Sequence, residues 1–173
     1  MILAAPVLAV ILAQPVCWAD RALPVEVKRD QLGVIADAIA EASDTPERAA
    51  LLITIGYHES RWCIRVHAGI KRGGAGEGLW QLEGAHHGDG SRSGLSRYET
   101  ADAALLASAQ LDRSYQCGSS PAAILTAYAG RPCWQSASDP RYPGDTGVEW
   151  GYGWPTLTSR VRTYRWALGR IRG

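Results

Sequence analysis

The stretch Ala49-Ala50-Leu51-Leu52-Ile53-Thr54-Ile55-Gly56-Tyr57 is apolar on nearly every side. A helix of this kind belongs at the centre of a domain, packed by other helices all round, because it offers water no polar face. Asp44-Thr45-Pro46-Glu47 marks its start with a cap, a first-turn proline and an acidic first turn, and the pattern carries the helix to about Cys63. Upstream, Leu32, Ile35, Ala36 and Ile39 recur at three- and four-residue spacing and predict an amphipathic helix over 25–43. Thr100 to about Tyr115, Ser120-Pro121 to Gly130, and Thr156 to Arg170 read as three more. With almost no alternating strand pattern, the expected fold is mainly α, with long Gly- and aromatic-rich loops over 68–96 and 132–155.

A chain of 173 residues, 46% of them hydrophobic, fits one compact domain with a substantial core. Lys+Arg 18 against Asp+Glu 17 leaves a net charge of +1, so no whole-chain field draws in nucleic acid or an anionic membrane. Residues 1–19 are apolar, carry no charged side chain and end small-x-small at Cys17 and Ala19, which reads as an export signal cut before Asp20. The alternative is an uncleaved anchor, the one membrane contact expected. The domain is then 20–173, exported to the periplasm or cell envelope. There Cys117 and Cys133 are expected to staple the two ends of a short helix, leaving Cys63 as a buried odd thiol, with a Cys63–Cys117 bridge as the other pairing.

On the central helix, Glu47, Thr54, His58, Arg61 and Arg65 fall on one narrow ridge that is expected to face solvent. Glu59 lies about 140° from Thr54. It is bracketed by Leu52, Ile55 and Cys63, with Trp62 close by. A carboxyl among apolar neighbours is desolvated, which favours its protonated form, the form a general acid needs near neutral pH. The other reading is structural: a Glu at a frayed helix end, or one paired with an Arg. His58, Glu59, His67, His86 and His87 cluster in sequence but lack the His-Glu-x-x-His spacing of a helical zinc site, so neither metal nor cofactor is expected.

His58-Glu59-Ser60-Arg61-Trp62, Gly78-Leu79-Trp80-Gln81 and Ala127-Tyr128-Ala129-Gly130 occur in that order. Together they resemble the lytic transglycosylase and goose-type lysozyme superfamily, whose catalytic helix ends in Glu-Ser and is followed by Gly-Leu-Met-Gln and Ala-Tyr-Asn-Ala-Gly segments. The resemblance implies a lysozyme-like fold, Glu59 as acid and base, a glycan cleft lined by Gln81 and the backbone near Gly78, Leu79 and Trp80, and Tyr128 orienting Glu59 through its hydroxyl. Trp80 stands where that family has Met, the Asn of the third motif is missing, and the loop between Glu59 and Gln81 is longer than in compact transglycosylases.

The implied partner is the glycan strand of peptidoglycan, cut by a monomer. In a lytic transglycosylase one carboxyl suffices: it protonates the bond between MurNAc and GlcNAc, then takes the proton of the MurNAc 6-hydroxyl as a 1,6-anhydro ring closes. A hydrolysing muramidase would need a second carboxylate, for which Glu77, Glu83 and Asp89 are the candidates. A third reading is a non-catalytic wall-binding protein on the same fold, with Trp134, Tyr142, Trp150, Tyr152 and Trp154 as a sugar-stacking platform.

Overall fold

A computed structural model of the chain describes residues 3–15, 17, 20–67, 78–82, 95–130 and 157–173. Among them the architecture is helical: α1 (Ala4–Leu12), α2 (Val25–Glu41), α3 (Pro46–Ser60), α4 (Ile64–His67), α5 (Thr100–Ser114), a 3-10 turn over Tyr115–Cys117, α6 (Pro121–Tyr128) and α7 (Leu157–Arg172). The mainly α class read from the sequence is the observed one.

Local chemistry explains the boundaries. Thr45 takes the N-cap of α3, its hydroxyl accepting from Arg48 N at 3.2 Å, with Pro46 in the first turn. Ser120 caps α6 in the same way through Ala123 N at 3.2 Å, again ahead of a proline. The predicted stripe of α2 is buried: Leu32, Ile35, Ala36 and Ile39 all join the core. Arg48 ties the start of α3 to α5 by donating to Ser108 Oγ at 2.7 Å and to Ser108 O at 2.8 Å, and it pairs with Asp112.

The central helix is covered more completely than the sequence suggested. It packs against α1, α2, α5, α6 and, most extensively, α7. The middle of the ridge expected to face water is covered, with Thr54 0% exposed and His58 half-buried against Thr163 of α7, whereas Arg61 is exposed as expected. Glu47, at the outer end of that ridge, pairs with Arg172. The correction has a simple cause. A ridge of Thr, His and Arg is polar enough for solvent, yet it also suits a helix that brings its own polar groups to the contact.

Helix α3 also stops earlier than Cys63. Arg61 and Trp62 both take left-handed backbone, at φ 55° and 56°, which ends the hydrogen-bond ladder and folds Trp62 back under the helix. The Ser60 hydroxyl secures this turn, donating to Gly56 O at 2.9 Å and accepting from Trp62 N at 3.2 Å. Gly56 is the residue that leaves room for the returning indole.

Residues 3–15 form part of the same core, with Val7, Val10 and Ile11 buried. Cys63, expected to be an odd thiol, is instead in a disulfide with Cys17, Cα atoms 5.2 Å apart. The sequence reading set Cys17 aside with the leader, and so left Cys63 without its partner. Asp20, next to this bridge, is buried and accepts from Ile64 N at 2.7 Å. Cys117 is also disulfide-bonded. Cys133, its expected partner, lies outside the described residues, as does the aromatic-rich segment over 132–155.

Candidate active site

Glu59 sits in the last turn of α3 with its side chain 5% exposed. The desolvation read from its helical position is therefore present. It is accompanied by a charge: Arg160 of α7 lies with Nη2 2.8 Å from Glu59 Oε1, its own side chain 0% exposed. Two opposing effects meet here. Burial favours the neutral acid, whereas the guanidinium favours the carboxylate. An arginine does not give up its proton, so neutralising Glu59 would leave a buried cation without its counter-charge. Breaking a buried pair by removing one partner typically costs about 3–5 kcal/mol, so each group depends on the other.

Arg160 is the site residue that sequence reasoning missed, although its signal is present. On α7, Leu157, Val161, Tyr164, Ala167 and Ile171 form the buried stripe, and Arg160 falls on it beside Val161. An arginine on an apolar stripe needs a buried carboxylate, and Glu59 is the carboxyl displaced onto an apolar face of α3.

Tyr128 closes α6 and is buried. Its hydroxyl donates to Trp80 O at 3.4 Å. Burial, and after it the negative charge of Glu59, pushes the phenol well above its ordinary value, opposed by Arg160 and Arg113. Tyr128 is thus a neutral donor within the electrostatic reach of Glu59. The first and third motifs, far apart in sequence, are coupled electrostatically.

The second motif arrives as a turn. Gly78 takes φ +70°, and a Cβ there would collide with Arg97 O, so glycine is required on both counts. Gln81, also left-handed at φ 50°, donates its side-chain Nε2 to Gly78 O at 2.9 Å and so braces its own turn. Leu79 and Trp80 are fully buried. Their side chains belong to the core, which leaves the backbone of this turn as the part that could face a cleft. The Trp80 indole N–H reaches Leu52 O at 3.0 Å, and its ring meets Trp62 edge to face at 6.4 Å. The motif anchors the turn to α3 and presents backbone, through Trp80 O, to Tyr128.

His58 is the neighbour of Glu59 in sequence but belongs to another contact. The Thr163 hydroxyl donates to Ser159 O at 3.0 Å, so the 2.9 Å contact between His58 Nε2 and Thr163 Oγ1 has the imidazole as donor. Burial, then the charges of Arg160 and Arg61, bring His58 down to about 3, against a weaker upward pull from a Ser159 backbone hydrogen bond. The ring is neutral at physiological pH. The His67 side chain, the other metal candidates His86 and His87, and the second-carboxylate candidates Glu77, Glu83 and Asp89 lie outside what the structure describes. A separate cavity of about 280 Å³ opens among α1, α3 and α7, lined by Gln14, Tyr57, Arg162 and Trp166 with their neighbours, and does not include Glu59.

Compared with protein-family models, curated proteins and solved structures, the chain matches none.

Proposed function

We propose that the chain is a peptidoglycan lytic transglycosylase of the cell envelope, cleaving the β-1,4 bond between MurNAc and GlcNAc with Glu59 as acid and then base. The observation that carries this reading is the convergence of the three motifs: Glu59 acts on the buried Tyr128, and Tyr128 in turn bonds to the Trp80 backbone. In this reaction Glu59 protonates the leaving oxygen, and the MurNAc 6-hydroxyl attacks the anomeric carbon. Proximity within one sugar replaces an activated water, so no second carboxylate, metal or cofactor is required. Tyr128, held neutral, lies within the electrostatic reach of the carboxyl.

A second reading has its own support. The Glu59–Arg160 pair and the inward-facing Trp80 and Gln81 suit a wall-binding protein in which the carboxyl holds two helices together. Glu59→Gln separates the two, because the amide keeps the shape and removes the charge and the acidic proton. Clearing of purified sacculi is expected to fall about 100-fold or more, the usual contribution of a general acid, while circular dichroism stays unchanged. Undiminished clearing by the folded variant would exclude Glu59 from the chemistry.

A further inference from the structure

We propose that Arg160 is the positioning residue of Glu59, fixing its carboxylate and setting the pH range in which the glycan is cut. The cleavage half of this inference rests on the transglycosylase reading above; the electrostatic half does not.

The geometry is that of a built contact. Arg160 comes from the apolar stripe of α7, is completely buried, and meets Glu59 from the helix that covers α3 most extensively. An extended surface arginine would have many rotamers. This one is 0% exposed, lies on the buried stripe that also carries Val161 and Tyr164, and sits 2.8 Å from one Glu59 oxygen. Among the described residues, the other titratable groups near the pair have contacts of their own. Tyr128 from α6 is a neutral phenol, and Arg113 from α5 acts on that phenol. On α3 itself His58 is neutral, and Arg61 is exposed, stacks over Tyr57 and donates to its hydroxyl. Arg160 is thus the buried permanent cation against Glu59 among the described residues.

The consequence follows from proton balance. Arg160, permanently charged and 2.8 Å away, favours the carboxylate form of Glu59, and the acid form that begins cleavage takes its proton from solvent. That proton goes to the GlcNAc oxygen as the bond from MurNAc C1 breaks. The MurNAc O6–C1 bond forms, and the O6 proton returns to Glu59. Each turnover restores the acid, so pH sets the fraction of enzyme that is competent, and cleavage rises as pH falls below neutrality. Arg160 also stabilises the carboxylate in mid-cycle, when it must collect the O6 proton.

The test is a carbon-13 NMR titration of the glutamate side-chain carboxyls in the full chain, with Glu59 assigned by Glu59→Gln, alongside the pH dependence of sacculus clearing. In Arg160→Met the Glu59 midpoint is expected to rise by about 1 pH unit or more, Arg160→Lys to return toward the wild-type value, and the clearing profile to move by the same amount. A midpoint unmoved in Arg160→Met overturns the inference, as does a clearing profile that stays put while the midpoint moves. If Arg160→Met does not fold, the thermal melts of Glu59→Gln, Arg160→Lys and Glu59→Gln/Arg160→Lys supply the coupling. Additive effects would then overturn the pairing, and non-additive ones support it. A shifted titration in a protein that clears sacculi at no pH would uphold Arg160 as the partner of Glu59 and remove the transglycosylase reading alone.

Discussion

Glu59 and Arg160 each occupy an apolar stripe, on α3 and α7 respectively, and each is buried because the other is there. Half of this was legible in the sequence. Helical periodicity placed Glu59 on the wrong face for a solvated carboxylate, but nothing local told which of the five arginines in α7 would reach it, since that depends on how α7 crosses α3. His58 shows the same limit: its position on a polar ridge was correct, and the helix covering that ridge was not foreseeable from α3 alone. Its burial gives a measurable signature. The folded ring resists protonation down to about 3, whereas the unfolded one takes a proton near 6.5. Protons therefore bind preferentially to the unfolded chain between those values, and stability falls as pH drops through that window. After a discount for the ring's partial exposure the slope is up to about 1 kcal/mol per pH unit. Urea titrations from pH 7 to pH 4 are expected to show this slope and to lose it in His58→Gln; an unchanged slope in the variant would assign the acid sensitivity elsewhere.

The helices themselves were read well where caps and periodicity agree. Thr45-Pro46 and Ser120-Pro121 open α3 and α6 where expected, because a hydroxyl cap followed by proline is a local code. The end of α3 was missed by a few residues, because Arg61 and Trp62 are stopped by a tertiary event, the return of the Trp62 ring to Gly56 and Trp80. This makes Gly56 a sensitive position. In an ordinary helix interior Gly→Ala stabilises by about 0.5–1 kcal/mol. Here the added Cβ would overlap the Trp62 ring and lie 3.2 Å from Trp80 Nε1. Gly56→Ala is expected to cost about 1–3 kcal/mol by overpacking, lowering the melting temperature by about 3–10 °C. A higher melting temperature would mean that the Trp62 turn is not packed as described.

The chain as a whole is a helical domain organised around one helix, and that much followed from the apolar run over 49–57. The contribution of residues 3–17 did not, since their composition resembles a leader, while the folded chain sets Val7, Val10 and Ile11 in the core and bonds Cys17 to Cys63. Composition reports apolarity and is silent on which apolar surface will receive it. The motifs have the same character: they were visible as short strings, and only packing joins Tyr128 to the Trp80 backbone and Trp80 to α3. Whether the Glu59 carboxyl cleaves a glycan, and how, is decided by the product. Purified sacculi digested with the wild-type chain, with Glu59→Gln as the blank, and analysed by muropeptide mass spectrometry are expected to release fragments ending in 1,6-anhydroMurNAc, one water lighter than the reducing sugar, and the blank to release none. Fragments ending in reducing MurNAc, or the same fragments from both proteins, would contradict the assignment of Glu59 as the lone acid and base of a transglycosylase.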